Sequence, residues 1–465
     1  MATDVYQANL DYLYGRLNYE RSGMPRGTSE LRLGRMRRLL RRLGDPHLGL
    51  PIIHVAGTKG KGSTAAMIAA GLTASGIRTG LFCSPHLHRL EERFRIDGVE
   101  ATPEALAALV DAVRPAVDAS DTLDPHYSRR GATFFEVTTA MGLLHFAREN
   151  VGAVVLEVGM GGRLDSTNVV RPKLAVITTI SLDHTRQLGT TPGAIASEKA
   201  GIIKRRGTVV SGVRGQDARA SIERSAKARS ARLLAIDTDF SFNYHPPGRP
   251  ITRPTPGAVS VRTWARDWGT IELPLLGEHQ GQNTAVALAS FDALGELGVA
   301  NVGVDDVARG FARLTWPARV EVLGERPTLV VDGAHNVASA RALADTLRGN
   351  FPTTPRTLVF GTTRDKDMVG QLEALLPLAD IVIATRYVEN SRAVDPDEIL
   401  LAARAIVGDS KPIHQADNPA EALELARRLT PVDGLICVTG SLFLAAETRA
   451  YVLGLNPSPQ HGIPR

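Results

Sequence analysis

Two cysteines in 465 residues are too few for a disulfide framework. Cys83 and Cys437 lie in apolar segments far apart in the sequence. Buried thiols in a reducing compartment are therefore expected rather than a bridge or a metal pair. No apolar run approaches the ~18 residues of a membrane span. The opening residues Met1–Gln7, with Asp4 among them, lack the basic and apolar regions of a signal peptide. A cytoplasmic location without membrane partners is expected. There is no internal repeat and no low-complexity tail beyond a short Pro/Gly-containing C-terminus. A net charge of +5 is too modest to be a nucleic-acid footprint by itself. Lysine is also scarce: eight of the 54 Lys+Arg, namely Lys59, Lys61, Lys173, Lys199, Lys204, Lys227, Lys366 and Lys411. Where arginine has replaced exchangeable lysines, a surviving lysine marks a site that needs a compact point charge or a removable proton.

With 43% hydrophobic and 22% charged residues the chain can bury a large core in about two to four domains. Strand-like runs Ile52–Ala56, Ala153–Val158 and Leu174–Ile180 alternate with helical stretches Pro103–Val113 and Phe134–Arg148. That alternation predicts a parallel sheet covered by helices. Between Tyr244 and Glu272, prolines at 246, 247, 250, 254 and 256 precede Val-Ser-Val-Arg-Thr-Trp, which reads as a loop and a few antiparallel strands. Helical periodicity returns over Asn283–Leu297. After Trp316-Pro317 a second series begins: Thr328–Asp332, Thr357–Gly361, Ile381–Thr385 and Gly434–Thr439. The expected architecture is α/β: a P-loop-type parallel-sheet domain with a small β-rich region (1–313), then a smaller Rossmann-like domain (314–465), joined near Arg313–Arg319. The arginines of Arg32–Arg42 alternate with Met36, Leu39, Leu40 and Leu43 at helical spacing, as a solvated amphipathic helix would.

The chemistry gathers at strand ends. Ile52–Thr64 reads I-I-H-V-A-G-T-K-G-K-G-S-T, an apolar run that breaks into glycines around a lysine and opens a helix expected over Ser63–Ser75. Gly57, Thr58, Lys59, Gly60, Lys61, Gly62 and Ser63 have the layout of a phosphate cradle: approachable N–H groups, a helix N-terminus and a mobile cation. It is not a strict Walker A, because Val55 and Gly62 replace the first glycine and the hydroxyl. Glu157 ends a second apolar run just before G-M-G-G-R-L-D (Gly159–Asp165), and His184 follows a third. Ligands of open parallel sheets bind beyond the carboxyl edge of the strands. A carboxylate and an imidazole delivered there beside a phosphate loop suit a divalent metal. Taken singly, each also reads as an ordinary solvated loop residue.

Eleven motifs occur in order, within a stretch from about Leu31 to Leu444. They include I-H-V-A-G-T-K-G-K-G-S-T, S-P-H-L (Ser84–Leu87), T-F-F-E (Thr133–Glu136) and L-E-V-G-M-G-G-R-L-D-S-T-N (Leu156–Asn168). Next come L-D-H-T (Leu182–Thr185), E-K-A-G-I-I-K (Glu198–Lys204) and L-L-G-E-H-Q (Leu275–Gln280). W-P-A-R (Trp316–Arg319), D-G-A-H-N (Asp332–Asn336), D-K-D (Asp365–Asp367) and T-G-S-L (Thr439–Leu442) complete the set. The series resembles folylpolyglutamate synthase/dihydrofolate synthase of the Mur ligase superfamily.

That resemblance implies an ATP-dependent ligase joining a folate or dihydropteroate carboxylate to L-glutamate, working as a monomer. It implies that Thr58–Lys61 cradle the phosphates of ATP. Ser84 and Glu157 would hold Mg²⁺, with His184 at a second metal position. Lys61, His184 and Lys199 would be catalytic, Lys199 as a carbamate. Asn283, Arg319 and Asp332 would contact the nucleotide, and His335 the nucleotide or the glutamate. Thr133, Phe134, Phe135, Glu136, Arg163, Leu164 and Asp165 would bind the pteroate part, one phenylalanine stacking on the pterin while core packing is the other reading. The run Leu31–Met36 resembles a ring-side loop, and Asp121–Gly131 a variable loop that says nothing of His126 or Tyr127. Lys59 departs from the family, most members having Asn there. Another Mur-type ligase such as a peptidoglycan-precursor enzyme, a P-loop kinase and a non-catalytic nucleotide-binding regulator remain alternatives.

Overall fold

A computed structural model describes residues 2–23, 33–122, 131–248 and 256–455. Leu31, Arg32, positions 123–130, Pro250 and Pro254 lie outside the described residues. Ile52–Ala56 (β1), Thr79–Phe82 (β2), Phe94–Ile96 (β3), Val99–Glu100 (β4), Ala153–Glu157 (β5), Leu174–Ile177 (β6), Thr208–Ser211 (β7) and Arg232–Ala235 (β8) form one sheet. Its order is β4-β3-β2-β5-β1-β6-β7-β8. Pairing is parallel from β2 to β8, while β3 and β4 add an antiparallel edge. Every residue of β1 and β5 is buried, as strands with both faces covered require.

Phe240–His245 (β9), Ala258–Thr263 (β10) and Asp267–Glu272 (β11) make a small sheet in the order β11-β10-β9. Trp268 anchors it by donating its indole N–H to Asp292 at 2.9 Å. The last sheet contains Glu321–Glu325 (β12), Thr328–Val331 (β13), Arg356–Phe360 (β14), Ile381–Ala384 (β15), Ile413–Gln415 (β16) and Leu435–Thr439 (β17). Its order is β12-β13-β17-β14-β15-β16, parallel except for the β12 edge.

The described residues divide into two compact units. One comprises Met1–Asn243, Val259–Glu272 and Gly281–Leu314; the other comprises Thr315–Arg465 together with Tyr244–Ala258 and Leu273–Gln280. Leu276, from one of those earlier stretches, is buried in the core of the second unit with Val330, Leu343 and Phe360.

Two boundaries depart from the sequence pattern for identifiable reasons. The run Leu174–Ile180 ends as a strand at Ile177, where the hydroxyls of Thr178 and Thr179 turn to the loop after β1 in the hydrogen bonds described below. The helix expected to end at Val113 continues to Thr122. Leu106, Leu109, Val110, Val113, Ala116 and Val117 keep the three-and-four spacing of a buried stripe beyond that point. The arginine-rich helix spans Leu33–Arg42 and buries Met36, Leu39 and Leu40, as expected.

Candidate active site

Because β5, β1 and β6 are parallel neighbours, the loops that follow them leave the sheet at one edge. The glycine loop after β1 is strapped to the segment after β6. Thr58 N–H donates to the Thr179 carbonyl at 2.7 Å, and Ser181 N–H donates to Thr58 Oγ1 at 3.1 Å. The hydroxyls of Thr178 and Thr179 donate to the Lys59 carbonyl at 2.6 and 3.0 Å. The strap leaves no room for side chains at two positions. A Cβ at Gly57 would lie 1.9 Å from Thr178 Oγ1, and one at Gly60 would lie 2.2 Å from Asn283 Oδ1. Gly60 also has φ +78° and caps the helix Lys61–Ala74, two residues earlier than the expected start. Asn283, on the helix Glu278–Glu296, is thereby placed against the glycine loop. The first turn of the Lys61–Ala74 helix carries no acidic residue, so its positive end stays available to an anion.

The two loop lysines diverge. Lys61 Nζ lies 4.0 Å from Glu157 Oε1, and the other Glu157 oxygen accepts the Ser84 N–H at 3.1 Å. Lys59 Nζ pairs with Asp183 Oδ2 at 3.1 Å, although the sequence motif counts it with the phosphate cradle. His184 has a left-handed backbone (φ 48°) and donates its N–H to Asp183 Oδ1 at 2.9 Å. Lys199, only 4% exposed, donates from Nζ to the Gly57 carbonyl at 2.9 Å. Burial, reinforced by the charges of Lys61 and Lys59, lowers its pKa to about 7 against the opposing pull of Asp183 and Asp165. Among the described residues no three His, Cys, Asp or Glu side chains cluster as a ready-made metal cage.

The segments expected at the acceptor have mixed roles. Thr133 caps the helix Phe134–Arg148 in a capping box with Glu136. Both Glu136 oxygens also take the Arg35 guanidinium, at 2.8 and 2.7 Å. Phe134 is fully buried, stacked on Tyr14 at 5.5 Å with Arg93 over its face. Phe135 is half-buried and its ring rests on Gly159 of the G-M-G-G turn. Of the two, Phe134 is the core residue and Phe135 borders the turn. Asp165 caps the short helix Ser166–Val169 and accepts the Met160 N–H at 2.9 Å, so it shapes that turn. Exposed Arg163 pairs with Glu198 at 2.9 Å, and Leu164 is half-buried beside it.

In the second unit, W-P-A-R and D-G-A-H-N meet. Asp332, just past β13, accepts the Val320 N–H at 2.9 Å and the Ala334 N–H at 2.8 Å. Ala318 and Val320 on either side of Arg319 have positive φ. His335 Nδ1 lies 2.8 Å from the Gly333 carbonyl. His279 of L-L-G-E-H-Q is held neutral, its pKa lowered to about 4 by burial and the nearby Arg319 charge. Gly440 N–H donates to the Ala334 carbonyl at 3.0 Å, which brings the T-G-S-L turn after β17 to the same place.

Residues 55–291 match the Mur ligase middle domain, and 318–442 match the Mur ligase glutamate ligase domain. A dihydrofolate synthase/folylpolyglutamate synthase of Bacillus subtilis is 32% identical over 96% of this chain and 98% of its own length. The chain belongs to the dihydrofolate synthase/folylpolyglutamate synthase family. Members of this family are ATP-dependent amide ligases with Mur-type domains. The crystal structure titled Mycobacterium tuberculosis folylpolyglutamate synthase complexed with ADP superimposes with a TM-score of 0.87 at 33% identity, covering 98% of this chain and all of that one. A probable bifunctional folylpolyglutamate synthase/dihydropteroate synthase of Haloferax volcanii is 35% identical over 89% of this chain, which spans about half (47%) of that relative.

The motifs contain Asp183 and sit beside Thr178, Thr179 and Ser181, but they do not give the part these residues play in holding the glycine loop. Thr178, Thr179, Ser181 and Asp183 strap the phosphate loop, and Arg35 locks Glu136. The hydroxyl-rich T-T-I-S-L-D run directly after a strand was the available signal for the first four. Nothing in the sequence pairs Arg35 with a carboxylate about a hundred residues away.

Proposed function

We propose that this chain joins L-glutamate to a folate-type carboxylate through an acyl phosphate. A carboxylate is a poor electrophile, so the γ-phosphoryl group of ATP is first transferred to one of its oxygens. The glutamate amine then attacks the carbonyl carbon, the C–O bond to phosphate breaks, and the amine loses a proton as the amide forms. Phosphoryl transfer rewards positioning and charge neutralisation. Lys61 and the N–H groups of the glycine loop supply both, Asn283 borders the loop, and Arg319 suits a phosphate oxygen. His335 is assigned to the incoming glutamate or the nucleotide, and Asp332 to keeping Arg319 and His335 in register.

Magnesium fits the residues present. Mg²⁺ usually takes one or two carboxylates, with phosphate oxygens and water completing its shell. Ser84 and Glu157 offer adjacent oxygen donors and His184 an imidazole for a second position. When bound, the ion would neutralise charge on the phosphates.

What supports the ligase reading most is Lys199, buried behind the phosphate loop where a simple kinase has no use for it. A pKa near 7 makes the neutral amine available to attack CO₂. A C–N bond forms, one proton leaves, and the carbamate presents two oxygens while keeping an N–H for the Gly57 carbonyl. We propose both family reactions for this chain, on dihydropteroate and on tetrahydrofolate, with Phe135 bordering the ring system. The B. subtilis relative carries both activities in its name. The test is phosphate release with each acceptor, with and without glutamate. Sustained release is expected only when both are present. Equal release without either would replace the ligase with an ATPase or kinase.

A further inference from the structure

We infer that Lys59 is a positioning residue: its ammonium fastens the phosphate loop to Asp183 and so fixes the backbone of His184, instead of holding a phosphate. The inference deepens the ligase reading above and rests on it for its kinetic readouts.

The geometry runs through one carboxylate. Asp183 has a side chain only 6% exposed, and a carboxylate buried to that degree needs a counter-charge. Lys59 supplies one at 3.1 Å on Oδ2, beside the more distant charge of Lys199. The other oxygen, Oδ1, accepts the His184 N–H at 2.9 Å. His184 is left-handed (φ 48°, ψ 40°), a conformation disfavoured for a non-glycine residue and held by its surroundings. Its carbonyl accepts the N–H groups of Gln187 and Leu188 and starts the turn Thr185–Leu188. Asp183 thus takes a charge on one oxygen and sets the entry to this turn with the other.

Lys59 is itself immobilised at its backbone, its carbonyl accepting from Thr178 and Thr179. Its side chain therefore bridges two fixed loops rather than reaching freely into the space over the helix N-terminus. The contact with Asp183 Oδ2 at 3.1 Å directs the Lys59 ammonium toward that carboxylate. Lys61, two residues on, is directed instead toward Glu157. One loop thus divides its two cations between a structural latch and the phosphate site.

The test compares wild type with Lys59→Met, Lys59→Arg, Asp183→Asn and the Lys59→Met/Asp183→Asn double variant. Three readouts are taken: glutamate-dependent turnover, ADP affinity by calorimetry, and hydrogen exchange of the Thr185–Leu188 amides. Lys59→Met should lower kcat about tenfold or more while changing the ATP KM and ADP affinity less than about threefold. Lys59→Arg, which keeps the charge, should recover most of the loss. The double variant should be no worse than Asp183→Asn alone, the mark of two residues acting as one unit. Exchange at Thr185–Leu188 should quicken in Lys59→Met and not in Lys59→Arg. Weakened ATP and ADP binding with unchanged exchange, or losses that add in the double variant, would overturn the inference and make Lys59 a phosphate ligand. If wild type shows no glutamate-dependent turnover, the ligase reading falls, and exchange with ADP affinity still decides the role of Lys59.

Discussion

Lys199 concentrates more physical tension than any other side chain described above: a cation by habit, buried, with two further lysine charges pressing on it. Replacing it with arginine keeps the length and the charge but forbids loss of the proton, so no carbamate can form. Lys199→Arg should therefore lower turnover about ten- to a hundredfold or more, and its permanent charge in this buried place should also lower the thermal transition, so turnover is measured well below that transition. Near wild-type turnover would exclude a carbamate. Its titration also makes a statement about stability. The folded-state pKa of about 7 lies below the ordinary 10.5, so between these values the unfolded chain holds a proton that the folded chain has lost. Stability from this group must then rise with pH across that window, and urea midpoints at pH 7 and pH 9, compared between wild type and Lys199→Met, would show it. The neighbouring phenylalanines part company in the same way. Phe134→Ala should cost about 3–5 kcal/mol of stability by emptying a packed site. Phe135→Ala should leave the fold intact and raise the KM for the folate acceptor. Equal losses of stability would show that both are core residues.

At the scale of elements, the glycine loop can sit where it does because Gly57 and Gly60 carry no side chain. Gly60→Ala would force a methyl onto Asn283 and also strain a left-handed position. ADP affinity should fall about tenfold or more, since one to two kcal/mol of strain is enough. An unchanged affinity would mean that the loop and the Glu278–Glu296 helix can part without consequence. This loop also shows where sequence is a sufficient guide. Val-Ala before it and the small, glycine-punctuated run after it mark strand, turn and helix entry, because those choices are made by residues next to one another. The end of β6 was not legible. Thr178 and Thr179 continue a strand-like pattern, and Thr178 N–H still donates to the Ala56 carbonyl, while both hydroxyls turn to the carbonyl of Lys59, some 120 positions away. The same holds for Glu136: its place in T-F-F-E does not announce the capping box or the Arg35 pair that the structure gives it. Local signals survive folding, and hydrogen-bond partners chosen across a sheet edge do not announce themselves.

For the whole molecule, the described residues form two compact units rather than one, and the stretches that build them are not simply consecutive. Leu276 precedes the long helix of the first unit yet is buried in the core of the second. No periodicity in Leu273–Gln280 says which core it joins, since a leucine pattern is blind to its destination. The two cysteines divide themselves differently, one to each unit: Cys83 follows β2, and Cys437 lies inside β17. Burial pushes the Cys83 thiol up to about 12, helped by Glu157, and raises Cys437 likewise, helped by Asp332. Neither can form the thiolate that reagents attack until its own surroundings open. The protein therefore carries a separate clock in each half. The speed at which a disulfide reagent titrates each thiol, resolved by peptide mass, reports the opening of that half alone. A nucleotide that settles beside Glu157 should slow the Cys83 clock by mass action, and the Cys437 clock will tell, without any added label, whether the second half feels the same ligand.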